Sequence, residues 1–222
     1  MTLKGIFDRV SALTALLLSL PLTLVTGALI AVLMPGGPVL FRQKRVGKGG
    51  RLFTLVKFRT MLPGHSGSSV SVAGESRITP LGALLRRYKI DELPELWNVL
   101  CGSMSLVGPR PDVPGYADRL SGDARRILEM KPGITGAATI RYRHEETILA
   151  AQPDPKSYND LVIFPDKVRI NLDYMEKRSF ALDLRIILAT IIPPLESLLP
   201  KQWRPIRIKN LSGKTASEAY AN

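Results

Sequence analysis

The chain has little of what most metal and redox chemistry requires. Of its 222 residues one is a cysteine, Cys101, and two are histidines, His65 and His144. A single thiol excludes an intramolecular disulfide, and so few imidazoles argue against a thiolate–imidazole metal site. Acids are scarce over the first third, with none between Asp8 and Glu75. There is no P-loop spacing, no GxGxxG after a strand, no HExxH and no nucleophile elbow. The length leaves room for one domain with a core and an appendage, not for two ordinary enzyme domains. What is abundant is positive charge. Lys and Arg number 31 against 19 Asp and Glu, a net charge of +12. Such an excess implies anionic partners: nucleic acid, acidic lipid or a phosphorylated substrate.

Charge is absent altogether from positions 10–41. The core of this run, "VSALTALLLSLPLTLVTGALIAVLM" (10–34), would make a helix of about 37 Å, long enough to cross a hydrocarbon core of roughly 30 Å. It is longer than the apolar part of a secretion signal and has no clean small-residue cleavage site. Its flanks are basic on both sides, Lys4 and Arg9 before it and "RQKRVGKGGR" after it. Positive charge favours the cytoplasmic face, so both ends compete for the same side of a membrane. A re-entrant helix-break-helix over residues 1–40 satisfies both. Pro21 removes a backbone donor at mid-helix, and Ser19 is placed to satisfy a freed carbonyl. The halves, 10–20 and 22–34, then reach only about 16–20 Å each. A Pro-kinked ordinary span is the other reading.

Downstream, "RLFTLVKFRTM" (51–61) alternates as a short strand with a basic end. "PGHSGSSVSVAGES" (63–76) reads as a Gly/Ser-rich loop. Thr79 and Pro80 are the N-cap and first residue of a helix. In "DELPELWNVLCG", Leu93, Leu96, Trp97 and Leu100 fall on one helical face, with Asp91 as N-cap and Gly102 as stop. Three prolines bar "VGPRPDVPG" (107–115) from regular structure. Helical patterns return at 116–130, 144–151, 166–178 and 181–192. The 193–222 tail mixes Leu and Trp203 with Lys201, Arg204, Arg207 and Lys209, a composition suited to a lipid interface. The fold class expected is α/β, predominantly helical. A compact cytoplasmic domain over 41–192 has few strands and amphipathic helices at the membrane interface.

The chemistry centres on Asp91 and Glu92. Taken alone they are ordinary helix-start residues. Their company argues for more: Lys57 and Arg59 at the end of the strand, Arg86 just upstream, and Arg110 between two prolines in "GPRP", where Pro109 limits the loop's freedom. Two acids that bind Mg²⁺, with guanidinium groups on phosphate oxygens, are a recurrent arrangement for phosphoryl transfer. Gly133 and Gly136 in "KPGITG" could let backbone approach a ligand, or could simply end a helix.

Taken in order, the apolar hairpin with its central proline, "VKFRTM", "IDELPELWNVL", "MSLVGPRP" and "KPGITG" resemble the bacterial sugar transferases, the small monotopic phosphoglycosyl transferases. "PDKVRINLDYMEKRSFALDLRIILAT" (165–190) extends the likeness to about residue 192. The resemblance implies an enzyme on the cytoplasmic face of the bacterial inner membrane. It would pass a phosphosugar from a UDP-sugar to polyprenyl phosphate and so open exopolysaccharide or other glycoconjugate assembly. It further implies that Asp91 attacks the sugar-bearing phosphorus, expels UMP and carries a covalent phosphosugar. Glu92 would help hold Mg²⁺, with Lys57, Arg59, Arg86, Pro109, Arg110, Gly133 and Arg141 around the substrate. Membrane lipids and a second copy of the chain are further expected partners, and nucleic acid is not. The chain departs from the family at Tyr88-Lys89, where Thr-Ser is common, at Ser19-Leu20-Pro21, where Ser-Pro is common, and at "AATIRYRHEE", which includes Arg141 and Glu145. The competing class is a non-catalytic basic membrane scaffold for a polysaccharide assembly complex.

Overall fold

The computed structural model describes residues 2–63 and 77–206. The Gly/Ser-rich stretch from residue 64 and the basic positions Arg207 and Lys209 lie outside them. Helix α1 (Leu3–Leu33) is followed by the antiparallel pair β1 (Leu40–Val46) and β2 (Leu52–Phe58). Two short helices, α2 (Pro80–Arg87) and α3 (Glu95–Leu100), come next, and then β3 (Ser105–Val107). Strand β4 (Gly133–Thr135) lies parallel to β3. Helices α4 (Ala137–Arg141), α5 (Glu145–Ala150), α6 (Pro155–Tyr158), α7 (Phe164–Lys177) and α8 (Phe180–Ile191) complete the domain. Helix dominates and the strands are few, as the apolar spacing implied.

Helix α1 runs unbroken through Pro21, where a break was expected. Proline costs it one hydrogen bond, from position 21 to the Leu17 carbonyl, which a helix of this length can absorb. The Ser19 hydroxyl donates to the Leu16 carbonyl (3.4 Å) rather than to the one proline frees. Among the described residues α1 is the one helix long and apolar enough to cross a membrane. Both of its ends, however, dock on the same domain. Near the N-terminus Ser105 Oγ donates to Asp8 Oδ2 (2.7 Å), Lys4 Nζ meets Asp183 Oδ2 (2.6 Å), and Ala12 packs with Leu55, Leu96, Val99 and Met104. Near the C-terminus Ile30 and Met34 pack with Phe58 and Leu85. Between these anchors Leu17, Leu18, Leu22, Leu24 and Val25 are exposed.

The acid pair corrects the expected helix start. Asp91 is not an N-cap: Ile90–Glu92 form a 3₁₀ turn, and α3 begins only at Glu95, after Pro94. Proline has no N–H to extend a continuous ladder from Ile90, so the backbone closes two separate turns. The buried face of α3 is also not the predicted one. Glu95, Leu96, Asn98 and Val99 are buried, while Trp97 is 56 % exposed. Asn98 explains the rotation. Its amide accepts from Val56 N (3.1 Å) and donates to Thr54 O (2.8 Å), pairing the free edge of β2 in place of a third strand.

The glycines of "KPGITG" serve the β3–β4 contact. A Cβ on Gly133 would lie 2.2 Å from Gly108 N, and one on Gly136 2.3 Å from Gly108 O. The predicted N-cap is present, with Thr79 accepting from Gly82 N (2.9 Å). The lipid-interface reading of Trp203 is overturned. Its ring is fully buried against Tyr174 and its Nε1 donates to Asp173 Oδ2 (2.9 Å), while Leu199 joins the same core.

Candidate active site

The 3₁₀ turn bearing the acids is set by Lys89, the one non-glycine residue with positive φ among the described residues (56°). A lysine in the left-handed region is uncommon, and it turns the chain from α2 so that Asp91 and Glu92 face β2 and the proline-flanked loop. Lys57 on β2 is the hub. Its Nζ lies 3.0 Å from Glu92 Oε1 and 2.9 Å from Glu95 Oε1. Arg110 closes the other side, 2.6 Å from the same Glu92 oxygen. Carboxylate and cation therefore alternate as Glu95, Lys57, Glu92, Arg110, and the Asp91 carboxylate stands beside Glu92 without a partner for its buried Oδ1.

Electrostatics separates the two neighbouring acids. Burial pushes Asp91 above the usual carboxylate range, and the charge of Glu92 adds to that push. Burial acts on Glu92 the same way but is outweighed by Arg110 and Lys57, which hold it well below the usual range. Glu95 is raised, chiefly by burial. Glu92 is thus a permanent anion committed to two cations, whereas Asp91 has an unpartnered oxygen and is not neutralised by a contact of its own. Behind Arg110 a second layer continues the alternation. Lys167 grips Glu145 with Nζ 2.6 Å from its carboxylate, and Arg45 donates to the Pro111 carbonyl (3.0 Å). Asp112, half-buried near Lys167 and Arg45, is pushed up to about 6 by the desolvation of its carboxyl.

The family model for bacterial sugar transferases matches residues 1–196. The chain belongs to this family. An uncharacterized sugar transferase, EpsL, of Bacillus subtilis is 35 % identical over 96 % of this chain and 97 % of its own length. The exopolysaccharide production protein PSS of Rhizobium leguminosarum is 37 % identical over 88 % of this chain and 96 % of its own. The UDP-glucose:undecaprenyl-phosphate glucose-1-phosphate transferase of Xanthomonas campestris is 36 % identical over 85 % of this chain, but only 38 % of that longer protein is covered. These family members are therefore matched over nearly their whole length in two cases and over a part in the third.

Of the residues singled out from the sequence of this transferase, the structure brings Asp91, Glu92, Lys57 and Arg110 into one cluster. Arg86 is near enough for its charge to act on Asp91, but its guanidinium is paired with Glu146. Pro109 accepts from Gly133 N (2.8 Å), so both hold the loop that presents Arg110. Arg59 turns away: it is buried and donates to the Met34 carbonyl at the end of α1. Arg141 also faces elsewhere, donating to the Arg204 carbonyl (3.0 Å). Sequence reasoning missed Glu95, Arg45 and Asp112. Glu95 lies three residues after Glu92, and the polar Glu95 and Asn98 at i, i+3 were the available signal of a second, polar buried face.

Proposed function

We propose that this phosphoglycosyl transferase moves a sugar 1-phosphate from a UDP-sugar to polyprenyl phosphate, through a covalent intermediate on Asp91. The observation that carries the reading is the unpartnered, buried Asp91 oxygen beside a Glu92 whose Oε1 is held by both Lys57 and Arg110. A carboxylate oxygen forms a bond to the sugar-bearing phosphorus while the bridging phosphorus–oxygen bond breaks and UMP leaves. An oxygen of the lipid phosphate then attacks the same phosphorus, forming the diphosphate and freeing the carboxylate. No base is needed, because both nucleophiles are anions. Lys57 and Arg110 offset the repulsion between these anions and the diphosphate, and Arg110 is placed to meet a phosphate oxygen.

The donor set fits Mg²⁺. Among the described residues there is no cluster of three or more acids, histidines or cysteines arranged for a metal. Mg²⁺ takes one or two carboxylates and completes its shell with substrate phosphates and water, so the Asp91 oxygen that does not attack, with the Glu92 oxygen that Lys57 and Arg110 leave free, would suffice. When bound, the ion would supply Lewis-acid stabilisation of the diphosphate. Relatives named for glucose 1-phosphate and for N-acetylgalactosamine phosphate transfer match at similar identity, so the sugar is left open.

The membrane arrangement follows from α1. A full span would carry one end of a 31-residue helix far from the domain, whereas Lys4, Asp8, Ile30 and Met34 are all held by it. This supports a monotopic attachment, with α1 held along one membrane face and the basic flanks on the cytoplasmic side. The site then sits at the depth of the acceptor's phosphate, and the reaction opens exopolysaccharide assembly. Purified protein with UDP-sugar, Mg²⁺ and polyprenyl phosphate releases UMP. The Asp91→Asn variant, folded with a midpoint no lower than wild type, does not. Full activity in that variant rejects the nucleophile.

A further inference from the structure

A second meeting of cations lies away from the acid cluster. Arg9, on α1, donates its Nε to the Leu100 carbonyl at the end of α3 (3.3 Å). Its guanidinium then passes over Gly102. A Cβ there would lie 2.6 Å from one terminal nitrogen of Arg9 and 3.6 Å from Lys131 Nζ. Gly102 has φ +84°, so the position suits glycine and the space between the two cations holds no side chain. Lys131 has no ion pair or hydrogen bond among the described residues, and burial together with the Arg9 charge pushes its pKa down. The nearby acid, Asp8, is already engaged by Lys4 and Ser105. Two like charges held against one open point gain from an anion placed between them.

The same edge is apolar. Val10 and Leu13 are exposed on α1, one residue and one turn from Arg9. Trp97 on α3 and Cys101 just after it, joined by the Cys101 N to Trp97 O hydrogen bond next to the Leu100 carbonyl that Arg9 meets, are also exposed. We infer that Arg9 and Lys131 hold the headgroup phosphate of an anionic phospholipid over Gly102, with Val10, Leu13 and Trp97 against its acyl chains. The inference rests on the membrane attachment proposed for α1, and on nothing in the chemistry of Asp91.

The test uses the full chain in neutral detergent, mixed with phosphatidylglycerol or phosphatidylcholine and read by native mass spectrometry. Wild type retains phosphatidylglycerol in preference. Lys131→Gln, which removes no contact within the protein, weakens that retention about fivefold, and Arg9→Gln does the same. Arg42→Gln, an exposed cation on β1, leaves it unchanged. Equal retention by Lys131→Gln and wild type, or no preference between the two lipids, overturns the site. Capture of inorganic phosphate without lipid preference assigns the cations to a free anion and overturns the lipid. Protein that does not sediment with vesicles fails the membrane reading and the lipid site together. Protein that retains phosphatidylglycerol yet releases no UMP from any nucleotide sugar fails the reaction alone.

Discussion

Replacing Lys57 with Met tests whether the site is held together by its own charges. The Lys57 side chain is 15 % exposed and touches Glu92 at 3.0 Å and Glu95 at 2.9 Å, whose side chains are 10 % and 2 % exposed. Glu92 keeps Arg110 when the ammonium is lost, but Glu95 keeps nothing at that distance. Breaking one partner out of a buried ion pair costs about 3–5 kcal/mol, most of it the uncompensated charge left behind. For a chain of this length an unfolding entropy near 2.1 cal/mol/K per residue makes that a fall in midpoint of about 6–10 °C. The sign with pH follows from Glu95. Its folded pKa is already raised by burial and rises further without Lys57. It therefore escapes the cost by binding a proton at low pH and bears the full cost above its folded pKa. Thermal unfolding in detergent at pH 6 and pH 8 reads both. The loss is larger at pH 8, and Glu95→Gln in the same background recovers most of it. A Lys57→Met protein within about 2 °C of wild type at pH 8, or no recovery by the second change, refutes the charge-alternation account.

Other outcomes follow from the same geometry. Arg110→Gln removes the 2.6 Å partner of Glu92 and lowers UMP release by about 10²–10³-fold, with Arg110→Lys recovering part. The rate of UMP release rises with pH through a carboxylate pKa above the ordinary range, because Asp91 must be ionised and burial opposes that; a flat profile from pH 5 to 8 contradicts it. Asp112, pushed up to about 6 by burial, costs stability as pH rises through that value. Asp112→Asn therefore raises the unfolding free energy at pH 8 and not at pH 4, by no more than about 3 kcal/mol. Asp183→Asn takes from Lys4 its 2.6 Å partner and weakens the Tyr174 contact, so the first turns of α1 exchange amide hydrogen faster while the far end near Met34 does not.

Much of the site was legible because its chemistry is local. Asp91 and Glu92 are adjacent, and the prolines around Arg110 mark it as fixed before any fold is known. Helices α7 and α8 were equally plain from periodicity. What escaped depends on contacts across the chain. The identity of the buried face of α3 is decided by Asn98 reaching the edge of β2, some forty positions away, which no helical period encodes. Arg59 reads as a strand-end cation beside Lys57, but β2 ends at Phe58, and beyond that end the Arg59 side chain meets the end of α1 instead. Trp203 among basic residues has the composition of an interface. Its indole N–H finds Asp173, and that partner makes burial possible. Gly133 and Gly136 reflect the approach of Gly108, the residue that follows β3.

Incubating the protein with UDP-sugar in the absence of lipid acceptor, then quenching, digesting and sequencing by mass spectrometry, puts the central claim to its most direct test. The account predicts a phosphosugar mass on the peptide containing Asp91, absent from Asp91→Asn and lost again when polyprenyl phosphate is added. An adduct on any other side chain, or none while UMP continues to be released, contradicts it.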